Sequence, residues 1–160
     1  MKLEEAHKQL IHAFSRHQVR FIVIGGHAAI YYGSERTTSD IDILVYPDID
    51  NGKRILAAFS DLKLESEDLS PEDFTNQLVL SFGYRPEEVD IINYIIGVDL
   101  DAAFERKIEA ELDGVTVPVI DIRDLLQNKL SLKRDDLKGL MDQQDILTLR
   151  KKLDNQGGSS

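Results

Sequence analysis

The sequence contains no cysteine among its 160 residues. A disulfide framework, a thiolate zinc site and a cysteine nucleophile are therefore excluded. It also lacks any apolar run of about 20 residues, the length that a membrane-spanning helix needs. Two acids occur within Met1 to Ala6, where a signal peptide would carry basic residues, and this favours a cytoplasmic protein without membrane association.

Positive charge is scarce as well, because 19 Lys and Arg residues against 29 Asp and Glu residues give a net charge of −10. A surface that neutralises many phosphates needs clustered Lys and Arg, so any contact with nucleic acid must be local. The hydrophobic fraction of 42% suffices for one folded domain of this length. We predict a single domain over residues 1–154 and a flexible tail over residues 155–160, which are rich in Gly and Ser.

Hydrophobic periodicity predicts helices and strands in alternation along the first half of the chain. The predicted helices cover residues 2–17, 27–32 and 51–64, a short segment that begins at 71, and two segments after 121. The predicted strands cover residues 19–24, 40–46, 77–82 and 89–96, and a hairpin of 106–112 and 115–120. This order predicts an α+β fold in which helices pack on a mixed β-sheet.

An unusual pair of acids occurs in the second predicted strand. Residues two apart on a strand point to the same face, so Asp40 and Asp42 project side by side while Ile41 and Ile43 face the other way. Two adjacent carboxylates raise the energy of ionising each other, and a shared divalent cation removes that cost. Mg²⁺ suits this pair because it takes one or two carboxylates and leaves its other positions to water and phosphate oxygens.

A glycine pair, Gly25 and Gly26, ends the first predicted strand and opens a predicted helix. Glycine lets the backbone approach a ligand closely, and the free N–H groups at a helix N-terminus favour anions. The pair lacks the further residues of a dinucleotide fingerprint or a P-loop, and a plain tight turn is the alternative interpretation. Together with the acidic strand it predicts a site for a metal-bound phosphate.

Residues 20–150 resemble the minimal nucleotidyltransferases of the DNA polymerase β-like superfamily and are similar to the AbiEii-type toxin nucleotidyltransferases. The glycine pair Gly25 and Gly26, followed by the Asp40-Ile41-Asp42 motif, carries the resemblance. The later Val-Asp-Ile-Ile segment resembles the family's strand that supplies a third carboxylate, which nominates Asp90. The resemblance implies the nucleotidyltransferase fold and a catalytic, metal-binding set made of Asp40, Asp42 and Asp90.

The resemblance also implies nucleotide contacts outside the carboxylates. Besides the glycine pair, these are Arg36, Ser39 and Lys129, while Arg134 and Asp145 resemble the basic and acidic positions of the family's last helices. Two of these residues have a second interpretation. Ser39 would either position a phosphate or cap the strand, and Lys129 would either approach the phosphates or lie on the surface with its stem packed on apolar neighbours.

The implied reaction is transfer of a nucleoside monophosphate from a nucleoside triphosphate to an acceptor hydroxyl, with Mg²⁺ as cofactor and pyrophosphate as the second product. The acceptor would be a protein, an RNA end or a small molecule, presented by a partner protein or by the second copy in a homodimer. The alternative is a non-catalytic relative that keeps the fold to bind a partner, such as one component of a toxin–antitoxin pair.

Overall fold

The computed structural model describes residues 2–157 of the chain. Within these residues the chain forms six α-helices, six β-strands and one 3₁₀ helix, Pro71–Thr75. The α-helices, in chain order, are α1 Glu5–Arg16, α2 Gly25–Tyr31, α3 Ile49–Asp61, α4 Leu100–Arg106, α5 Ile122–Ser131 and α6 Leu137–Gly157. The strands are β1 Phe21–Ile24, β2 Ile41–Val45, β3 Val79–Phe82, β4 Val89–Ile92, β5 Ile108–Leu112 and β6 Val115–Val119.

All six strands belong to one sheet in the order β3-β4-β2-β1-β6-β5. Strand β1 pairs antiparallel with β2 and parallel with β6, and β2 pairs parallel with β4. Antiparallel β3 and β5 form the two edges of the sheet, next to β4 and β6 respectively. The α+β fold with a mixed sheet is therefore confirmed.

One face of the sheet is covered by α1 and α3 through aromatic packing. The ring of Phe14 on α1 contacts the rings of Phe21 on β1 and Phe59 on α3, with centroid distances of 5.3 and 6.2 Å. Phe59 continues this cluster to Phe82 on β3 at 5.8 Å. Because side chains alternate along a strand, Ile41 and Ile43 enter this buried face and Asp42 points to the other one. The hydrophobic core thus fixes the side of the sheet on which the acidic residues lie.

Several predicted boundaries were wrong, and one helix was missed. The predicted strand 40–46 covers only Ile41–Val45, so Asp40 lies just before it. The predicted strand 89–96 ends at Ile92. At Asn93 the backbone N–H still donates to Leu78, but the side-chain oxygen accepts from the N–H of Leu78, and the side-chain nitrogen donates to the carbonyls of Phe74 and Asn76. Helix α4 was not predicted: it has only seven residues, too few to show a helical period, although Asp99 caps it by accepting from an N–H of its first turn. The hairpin is confirmed, but its first strand begins after α4 rather than at 106.

The last helix, α6, continues through residues 155–157, the first part of the predicted tail. The rest of that predicted segment, 158–160, lies outside the described residues. None of the helices within residues 2–157 is long and apolar enough to cross a membrane.

Candidate active site

Three carboxylates meet on the face of the sheet opposite to α1 and α3. Asp42 is the second residue of β2 and lies opposite Asp90, the second residue of β4, while Asp40 immediately precedes β2. One carboxylate oxygen from each of the three lies within 4.8 Å of the others. The parallel register of β2 and β4 therefore brings together the three residues that the sequence nominated from separate segments.

The charges of this cluster affect Asp42 most strongly. Burial, followed by the nearby charges of Asp40 and Asp90, raises the pKa of Asp42 from 3.8 to about 7. Among the described residues, the positive charges of Lys138 and Lys129 oppose this shift without cancelling it. Three acids at this spacing are unfavourable unless a cation shares them. The donor set therefore fits a divalent metal such as Mg²⁺, which prefers carboxylate oxygens.

The glycine turn lies directly against these acids. Gly25 has a φ of +67°, and a Cβ built on it would collide with the Asp42 carboxylate. A Cβ on Gly26 would lie 2.8 Å from Nη2 of Arg36 and 2.9 Å from Oγ1 of Thr38. Only glycine fits both positions without displacing a neighbour. The backbone of the turn consequently forms one side of the space above the carboxylates.

An ion-pair network that begins at Arg36, beside the glycine turn, also borders that space. Arg36 donates from Nε and Nη2 to the Asp145 carboxylate, each at 3.0 Å. Lys129, only 3% exposed, lies 3.2 Å from Oδ1 of Asp142 and 3.0 Å from Oδ2 of Asp145. Arg134 also donates to Asp142, at 2.7 and 2.8 Å. The network joins three cations to two carboxylates and so keeps a net positive charge.

This arrangement changes the interpretation of two predicted residues. The surface-lysine alternative for Lys129 is wrong, because its ammonium group is buried in the network. Burial alone would raise the pKa of Asp145, but hydrogen bonds from Arg36, Lys129 and Ser34 outweigh it and lower that pKa overall. Asp145 therefore holds Arg36 and Lys129 as a fixed pair.

A cavity of about 420 Å³ joins the acidic cluster, the glycine turn and the cationic network. Of the predicted site residues, Gly25, Gly26, Arg36, Asp40, Asp42, Asp90 and Lys129 all line it. Ser39 does not, and its neighbour Thr38 does. The role predicted for Ser39 remains a prediction.

The structure adds two residues that the sequence did not indicate. Ser81 on β3 donates from Oγ to Oδ1 of Asp90 at 2.6 Å and so fixes one oxygen of that carboxylate. Lys138 on α6 is exposed, lines the cavity and brings positive charge toward Asp42. Neither lies in a recognisable motif; only the pairing of β3 with β4 and the packing of α6 bring them to the site.

A buried histidine lies beside the cluster without adding charge to it. His27, the third residue of α2, packs edge-on against His7 with ring centroids 5.8 Å apart. Burial, and after it the neighbouring His7, lowers the pKa of His27 to about 4. The imidazole is therefore neutral near pH 7, and the positive charge at this site comes from Lys and Arg alone among the described side chains.

Two solved structures share this architecture. A proposed nucleotidyltransferase from Thermotoga maritima, TM1012, superposes with a TM-score of 0.57 at 18% identity, covering 93% of this chain and 91% of that one. The lincomycin-bound lincosamide antibiotic adenylyltransferase LnuA superposes with a TM-score of 0.54 at 16% identity, covering 92% of this chain and 96% of that one. No protein-family model matches the chain, and no curated protein matches it in sequence. The chain has the nucleotidyltransferase fold over nearly its whole length.

Proposed function

We propose that this protein is a Mg²⁺-dependent nucleotidyltransferase that moves a nucleoside monophosphate from a nucleoside triphosphate to an acceptor hydroxyl. The observation that carries the proposal is the cluster of Asp40, Asp42 and Asp90, whose oxygens lie within 4.8 Å of one another in a cavity shared with the Gly25 turn. The fold agrees, because the names of the two solved structures described above refer to nucleotidyl transfer.

Asp40, Asp42 and Asp90 are the proposed metal ligands, and the raised pKa of Asp42 shows how strongly the site favours a positive charge. When bound, Mg²⁺ would neutralise charge on the triphosphate and polarise the phosphorus that is attacked. The glycine turn lets the phosphates approach the carboxylates without a side chain in between.

The triphosphate would lie over the glycine turn, next to the cationic network. Exposed Lys138 is able to contact its oxygens directly. Arg36, Lys129 and Arg134 are already bonded to carboxylates, so we assign them a supporting positive charge near the phosphates. Ser39, which lies outside the cavity lining, would act on the loop that precedes the acidic strand.

The proposed reaction is a displacement at the α-phosphorus. The acceptor oxygen forms a bond to this phosphorus, the bond between it and the bridging oxygen to the β-phosphate breaks, and pyrophosphate leaves. Asp90 accepts the proton of the acceptor hydroxyl, and Ser81 orients its carboxylate by donating to the other oxygen. The acceptor belongs to one of three classes: a protein, an RNA end or a small molecule.

The AbiEii-type resemblance, the cytoplasmic location and the role in a toxin–antitoxin pair rest on sequence alone and stay predictions. So do the homodimer and the partner protein. A non-catalytic partner of the same fold is the alternative function. The intact carboxylate cluster counts against it, because a binding module gains nothing from three acids that repel one another.

The test is incubation of the protein with α-labelled nucleoside triphosphates, Mg²⁺ and a cell extract. We expect labelled product with the wild type and with Glu67→Gln, a matched change of an exposed acid. Asp42→Asn should abolish the product, because it removes a charged metal ligand without changing the side chain's size. Equal labelling by Asp42→Asn, or no labelling by either protein, would count against the proposal.

A further inference from the structure

An apolar wall continues the cavity beyond the acidic cluster toward the edge of the sheet. Val79 on β3 pairs with Ile92 on β4, two residues along the strands from the pair of Ser81 and Asp90 and on the same face. Tyr94 follows on the same side, and all three apolar or aromatic side chains line the cavity. Val79 is 52% exposed although it borders a catalytic centre. We call Val79, Ile92 and Tyr94 the β3–β4 wall.

The order of the strands indicates which part of the reaction this wall serves. Across the sheet, from β1 to the edge strand β3, the site residues follow in the order glycine turn after β1, Asp42 on β2, Asp90 on β4 and Ser81 on β3. In a displacement at phosphorus, the attacking oxygen and the leaving pyrophosphate lie on opposite sides of the atom. If the pyrophosphate lies toward the glycine turn, the attacking oxygen enters from the Asp90 side. The β3–β4 wall is the next surface beyond it.

We propose that the β3–β4 wall is the acceptor subsite, and that it takes a small hydroxyl compound, neutral or positively charged, with an apolar face next to the reacting hydroxyl. This inference rests on the proposed function and specifies its acceptor. The apolar wall would bury the acceptor's apolar face, and Asp90 would receive its proton.

Charge distinguishes this acceptor from an RNA end. Asp90 pairs with Ser81 next to the wall, and one carboxylate oxygen each of Asp40, Asp42 and Asp90 lies within 4.8 Å of the others, so three acids lie beside the wall. The whole chain carries a net charge of −10. An RNA acceptor would need cations along its phosphates, whereas a neutral or cationic compound meets no repulsion here.

The experiment uses α-labelled nucleoside triphosphates and a cell extract that is divided by ultrafiltration into a small-molecule fraction and a macromolecular fraction. We expect the label to enter a product of the small-molecule fraction. Rates are then measured at increasing amounts of that fraction, and separately at increasing triphosphate, for the wild type and for variants of the wall. This design separates the half-saturation of the acceptor from that of the nucleotide.

Val79→Asp adds a charge to the wall, and Val79→Phe fills it without adding charge. Both should raise the amount of small-molecule fraction needed for half-maximal rate by about tenfold or more, because changes in an apolar pocket discriminate on that scale. The half-saturation by triphosphate should stay the same. Leu147→Asp and Leu147→Phe are the matched controls, since Leu147 is 69% exposed on α6 and lies outside the cavity lining. They should behave as the wild type.

Three results would overturn the inference, and they are distinguishable. Label in the macromolecular fraction would leave the transferase function intact and make the acceptor an RNA or a protein. A change in triphosphate half-saturation in the Val79 variants, with that of the acceptor unchanged, would assign the wall to the nucleobase. No label in either fraction with the wild type would overturn the proposed function itself, and the acceptor subsite with it.

Discussion

Replacing Asp42 by asparagine should make the metal-free protein more stable while it abolishes activity. Burial and the charges of Asp40 and Asp90 raise the pKa of this carboxyl from 3.8 to about 7. At ~1.4 kcal/mol per pKa unit, the ionised form costs the folded protein roughly 4 kcal/mol. An asparagine amide at this position leaves part of its hydrogen-bonding capacity unsatisfied, which costs the folded variant about 1–3 kcal/mol. We expect a net stabilisation of about 2 kcal/mol.

The pH dependence of this effect has a definite sign. Between about pH 4 and pH 7 the folded protein retains a proton on Asp42 that the unfolded chain has already released, so wild-type stability falls as the pH rises through this window. The free-energy cost of ionising Asp42 in the folded protein is fully present above about pH 7 and absent below about pH 4. The advantage of Asp42→Asn should therefore be large at about pH 8 and close to zero at about pH 5.

Thermal unfolding in the presence of a chelator measures this directly. For a chain of this size, 2 kcal/mol corresponds to a rise in Tm of about 4–8 °C. Glu67→Gln, which removes an exposed acid, should leave Tm unchanged at both pH values. Mg²⁺ should raise the Tm of the wild type and have little effect on Asp42→Asn. An Asp42→Asn protein that is no more stable than the wild type at pH 8, or a gain independent of pH, would refute the reasoning.

Two further substitutions test other parts of the site. Gly25→Ala should lower activity in the transfer assay at least a hundredfold, because the added Cβ collides with the Asp42 carboxylate at a φ of +67°. Gly114→Ala is the control: its φ of +80° gives the same backbone strain, but no atom lies near the added Cβ. This variant should keep full activity. Lys129→Met should lower the free energy of unfolding, measured in urea, by about 3 kcal/mol, because Asp145 loses a buried partner. Unchanged stability would show that Arg36 and Ser34 satisfy that carboxylate without Lys129.

The sequence was sufficient to predict the carboxylates because their chemistry has a local pattern. Asp42 lies on β2, whose other face is aliphatic, and Asp40 lies immediately before it, so the alternating pattern was enough to predict that the two acids are neighbours. Asp90 could be nominated only through resemblance, since its distance to Asp42 depends on the parallel register of β2 and β4. The register is set when the sheet forms, and the sequence of either strand alone does not specify which residue of the other strand it pairs with.

The remaining parts of the site depend on tertiary packing. Ser81 and Val79 reach the cavity because the edge strand β3 pairs with β4 in a particular register, and the sequence around them contains no motif. Lys129 could be predicted as a helical lysine, but its burial required knowing that α6 places Asp142 and Asp145 over it. Helix α4 was missed for a simpler reason, because seven residues are too few to show a period.

The position of the label in the nucleotide tests the central claim most directly. The wild-type protein is incubated with Mg²⁺, the cell extract and a triphosphate that is labelled either at the α- or at the γ-phosphate. We predict that the α-label enters the acceptor product while the γ-label appears only in pyrophosphate, because the bond broken lies between the α- and β-phosphates. Transfer of the γ-label to the product would show phosphoryl transfer instead, and would contradict the account.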